Sequence, residues 1–171
     1  MTNLASLSQQ AGMTRRQARL AAVQALYQMD LAGTGLDAVI AEFISFRFGP
    51  DAEDPVTAGA DAEHFAILVK AAVARQRDID PILDQQLAQG WRLKRIDAIV
   101  RAILRTGVAE LLERADVPPR VVITEYVDVA NAFFEGDEPK VVNAVLDKIA
   151  RRLRPEAFDT APPRDPKPKS S

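Results

Sequence analysis

Apolar residues recur every three or four positions along most of the chain, and this spacing places them on one face of an α-helix. The longest stretch of this kind, residues 118–153, carries two apolar stripes separated by a short break. The first stripe runs from Ile123 to Phe134, and the second runs from Val142 to Leu153. The pattern therefore predicts a helical hairpin near the C-terminus, around which the rest of the chain is organised.

The break between the two stripes contains residue types that end and begin helices. Gly136 can adopt the left-handed conformation that ends one helix, Asp137 can cap the next, and Pro139 is tolerated in a first turn. Residues 121–124 are β-branched and would suit a strand. We favour a helix there because the helical spacing continues without turn residues and because the pair at residues 118–119, Pro-Pro, is typical of a helix start.

Four further stretches show the same spacing and are predicted to be helical: residues 14–32, with Thr14 as the N-cap; residues 36–44; residues 62–87, which Pro81 should kink or restart; and residues 96–112, the central core helix. An all-α fold follows. Trp91 lies in a connection between two of these stretches and is predicted to anchor a core seam.

Length and composition set the domain organisation. A chain of 171 residues with 47% hydrophobic content has room for one compact domain. We predict a flexible lead-in at residues 1–13, a domain at residues 14–155 and a disordered tail rich in proline and lysine at residues 156–171. The acidic segment at residues 45–62 is predicted to be a solvated loop, because its acids lack the spacing of a calcium loop.

The residue types present exclude several kinds of chemistry. The chain has no cysteine and only one histidine, His64, so thiolate metal sites and paired-histidine sites are impossible. His64 is predicted to have a surface or capping role. No phosphate-cradling glycine loop or serine elbow is visible, so we expect no enzyme, cofactor or metal. No apolar run reaches the roughly 20 residues of a membrane span, which predicts a soluble, cytoplasmic protein.

Three arginines, Arg15, Arg16 and Arg19, cluster where the first helix is predicted to begin. A helix start already carries partial positive charge, so this placement needs an explanation. The cluster is either a solvated surface or an anion site, since arginine forks match phosphate oxygens. Tyr27 lies farther along the same helix and offers a ring for base stacking, although an isolated tyrosine is more often part of a core. The net charge of −2 argues against RNA binding through bulk positive charge.

Three motifs in this order resemble the NusB family of bacterial transcription antitermination factors: RRQARLAAVQALYQMD at residues 15–30, AILRTGVAELL followed by DVP at residues 102–118, and KVVNAVLDKIA at residues 140–150. The resemblance covers roughly residues 15–155. It implies two small helical bundles packed into one domain and an RNA-binding, non-catalytic role. It also implies that the protein recognises boxA RNA in ribosomal RNA leader transcripts, together with the ribosomal protein NusE, within the RNA polymerase antitermination complex.

The resemblance also implies site residues. The arginine-rich start of the family matches Arg15, Arg16 and Arg19, its RNA-facing tyrosine matches Tyr27, and its acid and lysine before the last helix match Asp137 and Lys140. We further expect Arg105 and Glu110, on the central helix, to contact a protein partner, because an outward face with both signs of charge is a common device for partner choice.

This chain departs from the family pattern at two positions of the last motif. Val141 stands where the family usually has phenylalanine, and Ala144 stands where it has glycine, which leaves any contact of residue 141 with RNA or with the ribosomal protein open. Asn143 is predicted to be a buried amide. Two other functions remain possible: a stand-alone relative of the N-terminal module of ribosomal RNA cytosine methyltransferases, and a helical adaptor that does not bind RNA.

Overall fold

The computed structural model describes residues 4–49, 57, 59–87 and 92–158, and for residues 4–13 it describes only the backbone. Within these ranges the chain forms seven α-helices and one short 3-10 helix at Pro155–Ala157, and it has no strand. The helices are α1 (Leu4–Ala32), α2 (Leu36–Phe46), α3 (Ala62–Ala74), α4 (Gln76–Gln86), α5 (Ala98–Glu113), α6 (Pro119–Phe133) and α7 (Glu138–Leu153). The predicted all-α fold is confirmed.

Two hydrophobic cores form among these helices, in agreement with the expected pair of bundles. The smaller core joins α1, α2 and α3, and its aromatic centre consists of Phe43, Phe48 and Phe65. The larger core joins α4 to α7 and also takes in residues of α1 and α3. Because α1 and α3 contribute to both cores, the two bundles share these helices and pack as one unit.

The predicted hairpin is present as α6 and α7, and the β-branched residues 121–124 lie in α6. Pro119 and Pro139 occupy the first turns of the two helices, as the sequence indicated. The role predicted for Gly136 is wrong, since its φ is not positive. Phe134 takes an extended conformation after the last turn of α6, so the chain leaves the helix without a left-handed residue.

Helix α1 begins at Leu4, ten residues before the predicted N-cap, so Thr14 lies inside the helix and is not its N-cap. The carbonyl of Thr14 accepts a hydrogen bond from the N–H of Asp61 at 3.0 Å, which ties α1 to the start of α3. At its other end α1 stops as predicted. Gly33 adopts a left-handed φ of 67° and donates its N–H to the carbonyl of Met29.

The long predicted stretch at residues 62–87 is two helices, but the break lies at Arg75 and not at Pro81. Pro81 removes one backbone donor from α4, and the helix continues through it. Trp91, most of the acidic loop and residues 159–171 lie outside the described residues. The backbone of residues 4–13 in the predicted lead-in is helical, while the flexibility of the lead-in and the disorder of the tail stay predictions.

Candidate nucleic-acid interface

Two cavities follow each other along α1 and α6, and we together call them the α1–α6 groove. One cavity, of about 190 Å³, is lined by Arg16, Gln17, Leu20, Glu125, Asp128, Val129 and Ala132. The other, of about 500 Å³, is lined by Val23, Gln24, Tyr27, Gln28, Leu31, Ala32, Arg47, Ile99 and Phe133. The lining residues follow one another along both helices, and the α1 side, from Arg16 to Ala32, extends over roughly 24 Å at about 1.5 Å per residue.

Arg16 lies at one end of the groove and is the most accessible of the three clustered arginines, with 61% of its side chain exposed. Its Nε and Nη2 atoms each donate a hydrogen bond of 3.0 Å to the carboxylate of Glu125. Both groups are ordered by this bidentate pair, and the guanidinium remains open to solvent. Arg16 is therefore held in place as a surface cation on the wall of the groove.

Arg15 is a second surface cation beside Arg16. Its Nη1 atom lies 3.9 Å from Oδ2 of Asp116, and 36% of the arginine side chain and 59% of the aspartate side chain are exposed. An exposed pair at this distance contributes at most about 1 kcal/mol and is screened by salt. Arg15 can therefore exchange this partner for another anion at little cost.

Arg19 does not belong to the surface cluster, and its predicted contact with RNA is wrong for this conformation. Only 5% of its side chain is exposed, because it points between α5 and α6. Its Nε and Nη2 atoms donate to the carboxylate of Glu110 at 2.8 Å, and its Nη1 atom lies 3.8 Å from Oε2 of Glu125. A cation this deeply buried is stable only with such a partner.

Glu110 is completely buried, so it cannot form the predicted contact with a protein partner on the surface. Besides Arg19, the phenolic O–H of Tyr126 donates to its Oε1 atom at 2.9 Å. Burial alone would raise the pKa of Glu110, but the contacts of His64 and Arg19 outweigh burial and lower the pKa to about 2. Burial and the neighbouring Glu110 carboxylate raise the pKa of Tyr126 well above its usual value of 10.

His64 is also buried, with 1% of its surface exposed, so the predicted surface or capping role of its side chain is wrong. The cap at the start of α3 is Asp61, whose side chain accepts a hydrogen bond from the backbone N–H of His64. The Nε2 atom of the ring lies 3.5 Å from Oε1 of Glu110, a long contact that favours the carboxylate form of Glu110. Neither ring nitrogen has another partner among the described residues. The four side chains Arg19, His64, Glu110 and Tyr126 form a buried polar cluster that joins α1, α3, α5 and α6.

Tyr27 lies at the other end of the groove, eleven residues and about three helical turns from Arg16. It is half-buried and packs against the larger core, and it lines the larger cavity. Phe133, at the end of α6, lines the same cavity and is 39% exposed, although its spacing predicted a core position. The two rings give this end of the groove an aromatic character.

Asp137 and Lys140 follow Phe133 in the connection to α7 and in its first turn. Both are open to solvent, with 87% and 86% of their side chains exposed, and their charged atoms are 3.9 Å apart. Asn143, one turn farther along, is exposed, so the buried role predicted for it is wrong. Val141 packs against the larger core.

Arg105, the other predicted partner contact, lies on α5 away from the groove. Its Nε and Nη2 atoms donate to the two carboxylate oxygens of Asp80 at 2.9 and 2.8 Å, and 15% of its side chain is exposed. This pair fastens α4 to α5. A protein partner that used Arg105 would therefore compete with Asp80 for its donors.

The sequence interpretation missed two residues of the groove, Glu125 and Phe133. Glu125 stands outside the apolar stripe of α6 and looks like an ordinary surface acid in the sequence. Its partner Arg16 is 109 positions away in the chain, so only the folded structure reveals the pair. Phe133 continues the apolar stripe of α6, and the exposure of its ring depends on the helix ending at that residue.

The described part of the chain contains no group of three or more histidine, aspartate or glutamate side chains that could hold a metal ion. The same residues include no helix that is both long and apolar enough to cross a membrane.

Comparison with known proteins identifies relatives over nearly the whole chain. A sequence model described as the NusB family matches residues 16–151. A protein of Maricaulis maris named transcription antitermination protein NusB is 56% identical over 153 residues, which cover 90% of this chain and 96% of the relative. A protein of the same name from Rhodopseudomonas palustris strain TIE-1 is 55% identical over 144 residues, 84% of this chain and 83% of the relative.

Solved structures give the same result. NusB of T. maritima superposes with a TM-score of 0.70 at 26% identity and covers 84% of this chain and 96% of that one. A chain in a crystal structure of the antitermination factors NusB and NusE in complex with dsRNA superposes with a TM-score of 0.67 at 27% identity, over 81% of this chain and 97% of that one.

Proposed function

Because the chain belongs to the NusB family of transcription antitermination proteins, a non-catalytic family, we propose that it acts in the cytoplasm by binding boxA RNA together with the ribosomal protein NusE, within the RNA polymerase antitermination complex. One solved relative is a complex of the antitermination factors NusB and NusE with double-stranded RNA. That complex supports the choice of partners, and the α1–α6 groove supports the choice of surface.

The observation that carries the proposal is the arrangement of the groove, which has cations at one end and aromatic rings at the other. Arg15 and Arg16 provide donors for phosphate oxygens, and Tyr27 and Phe133 provide ring surfaces on which an unpaired base can stack. Proteins that read single-stranded RNA combine these two elements. We assign Lys140 and Asp137, which follow Phe133 at this end, to the same interface.

The charge of the groove also supports the need for a partner. Arg15 and Arg16 already face Asp116 and Glu125, so the α1 face carries little uncompensated positive charge. A few phosphate contacts support only weak, salt-sensitive binding. We therefore propose that NusE completes the RNA surface and raises the RNA affinity by about tenfold or more, which is roughly 1.4 kcal/mol of coupling.

The proposed partner surface lies on α5, where Arg105 is the remaining candidate after Glu110 is excluded by its burial. Since Nε and Nη2 of Arg105 are held by Asp80, a partner carboxylate would compete with Asp80 for these donors or bind the remaining Nη1 atom. A change of Arg105 to glutamine should weaken the complex with NusE if this assignment is right. Sizing of the mixed proteins tests it, and equal complex formation by wild type and variant would exclude Arg105.

The test of RNA binding is a titration of labelled boxA RNA and a scrambled RNA with the chain alone and with the NusE pair. The matched variants are Arg16→Gln and Arg151→Gln, since Arg151 is an exposed arginine that also pairs with a carboxylate, Asp147, but lies on α7. We expect Arg16→Gln to weaken boxA binding several-fold and to lower the salt slope by about 0.7, the value for one single-strand phosphate.

Each outcome of this titration has a defined meaning. Equal affinity for boxA and scrambled RNA would reduce the protein to an unspecific adaptor. Equal affinity with and without NusE would refute the shared surface. If Arg16→Gln and Arg151→Gln behave alike, the groove is not the binding site.

A further inference from the structure

The connection between α4 and α5 ends in a rigid turn at residues 92–96, which we call the basic turn. Its two apolar residues, Leu93 and Ile96, are buried with 2% and 9% exposure and anchor the turn to the larger core. The N–H groups of Arg95 and Ile96 donate to the carbonyl of Arg92 at 2.8 and 3.1 Å, and the side chain of Asp84 accepts the N–H of Leu93 at 3.0 Å. The backbone of the turn is therefore fixed in one conformation.

The other three residues of the turn are cations that point to solvent. Arg92, Lys94 and Arg95 are exposed and surround a depression of about 470 Å³, with Asp84 at its edge. None of the three forms an ion pair with any residue that the structure describes. The contrast with α1 is clear, because Arg15, Arg16 and Arg19 all have acidic partners there.

Three unpaired like charges within four residues repel one another, and Asp84 is the one acidic residue that lines the depression with them. Solubility does not require them, since the chain already has a net charge of −2. The anchored backbone holds them together at one place, as a site for a polyanion would require.

The basic turn lies next to the aromatic end of the α1–α6 groove. The guanidinium of Arg101 links the turn to α1: its Nη2 atom donates to Oδ2 of Asp30, three residues after Tyr27, at 2.6 Å, and its Nη1 atom donates to the carbonyl of Leu93 at 3.2 Å. Ile99, three residues after the turn, lines the larger cavity of the groove. A strand that leaves the groove past Tyr27 would therefore next meet the basic turn.

We propose that Arg92, Lys94 and Arg95 bind the phosphates of the RNA segment that flanks the segment held in the groove. This inference rests on the proposed function. It adds to the protein a second surface for single-stranded RNA, which acts through charge alone. The arginine forks suit phosphate oxygens, and the absence of internal partners among the described residues means that no existing ion pair has to break. An acidic protein segment has the same charge, but RNA is favoured because the turn continues the groove.

The experiment compares two triple variants that remove the same positive charge. The test variant carries Arg92→Gln, Lys94→Gln and Arg95→Gln. The control carries Lys70→Gln, Arg77→Gln and Lys148→Gln, three exposed cations of α3, α4 and α7 that also form no ion pair with described residues. All six positions are exposed, so both variants should fold, which a thermal unfolding curve verifies.

Each protein is titrated with a short boxA RNA and with a boxA RNA extended by about ten nucleotides on either side, a length within the usual range of single-strand sites. We expect wild type and control to bind the extended RNA more tightly than the short one. The test variant should lose this gain and show a salt slope on the extended RNA smaller by about 2, since each single-strand phosphate contributes about 0.7. Its affinity for the short RNA should match that of the control.

Equal binding of the extended RNA by the test and control variants would overturn the inference. So would a test variant that binds both RNAs normally but fails to join NusE or RNA polymerase, because the turn would then be a protein contact. If wild type does not distinguish the short boxA RNA from a scrambled RNA of the same length, the proposed function fails. That comparison uses only the wild type, so failure of the proposed function can be told apart from failure of the inference, which the two triple variants test.

Discussion

Replacing Glu110 with glutamine keeps the size of the side chain and removes the negative charge from the buried polar cluster. In the wild type this carboxylate accepts hydrogen bonds from Arg19 at 2.8 Å and from Tyr126 at 2.9 Å, with no exposure to water. The variant leaves the Arg19 cation buried, with Glu125 at 3.8 Å as its nearest remaining counter-charge. Uncompensated buried charges of this kind typically cost about 3–5 kcal/mol, and the partial compensation by Glu125 favours the lower value.

The pKa of Glu110 gives a second magnitude, which rests on the same contacts with Arg19 and His64. Its value falls from the ordinary 4.5 to about 2 in the folded protein. At about 1.4 kcal/mol for each pH unit, this difference corresponds to roughly 3 kcal/mol of stabilisation. Both routes therefore predict that Glu110→Gln lowers the free energy of unfolding at neutral pH by about 3 kcal/mol, a large share of the 5–15 kcal/mol of a typical domain.

The pH dependence follows from the direction of the shift. The folded-state pKa is depressed, so the stabilisation by Glu110 is complete above the unfolded pKa of 4.5 and is lost as the pH falls from there towards about 2. By about pH 3, roughly 2 kcal/mol of the difference between wild type and variant should have disappeared.

The assay is urea unfolding of both proteins at several pH values between neutral and about 3, with Glu113→Gln as the control. Glu113 lies on the same helix and pairs with Arg75 at 3.1 Å, but this pair is exposed, so its loss should change stability by less than about 1 kcal/mol. A Glu110→Gln variant as stable as wild type at neutral pH would refute the reasoning. So would a stability difference that stays constant down to pH 3, because the carboxylate would then not be the titrating group.

Two smaller changes test neighbouring features of the same helices. Tyr126→Phe removes the 2.9 Å hydrogen bond to the buried Glu110 carboxylate and should lower the free energy of unfolding by about 2 kcal/mol, measured by urea unfolding with an unchanged m-value. Gly107→Ala would place a methyl group 3.0 and 3.1 Å from the two δ-methyl carbons of Leu146, which is fully buried in the larger core. A steric cost of about 2 kcal/mol, from two contacts this short in a packed core, should exceed the gain of about 1 kcal/mol in helix propensity, so the melting temperature should fall. A melting temperature at or above that of wild type would show that Leu146 can move aside.

The sequence predicted the helices well, because their apolar positions are repeated over many turns. The α6–α7 hairpin, the central helix α5 and the end of α1 at Gly33 all followed from local spacing. The errors at Pro81 and Gly136 have a different origin. Each residue permits a helix to end without requiring it, and the surrounding packing decided where the chain left the helix.

The charged residues were harder to place, because their environment depends on partners that are distant in the sequence. Arg19 and Glu110 are 91 positions apart, and each alone looks like a surface residue, since charged side chains are seldom buried without a partner. His64 joined the same cluster from a third helix. The resemblance to a family pointed to α1 as the helix of the proposed RNA interface, but it did not distinguish an arginine that would face RNA from one that holds the helix in place.

That distinction links the stability of the protein to its proposed RNA site. Side chains at neighbouring positions of a helix point about 100° apart, so the rotation of α1 about its axis decides which of them face the groove. Arg19 fixes this rotation through its buried pair with Glu110, and with α1 in that orientation Arg16 and Tyr27, about three turns apart, lie along the groove. Loss of the buried pair would therefore disturb the groove without removing any residue from it. A change at Arg19 that weakens RNA binding is consequently no evidence for contact with RNA, unless stability and the salt slope are measured on the same variant.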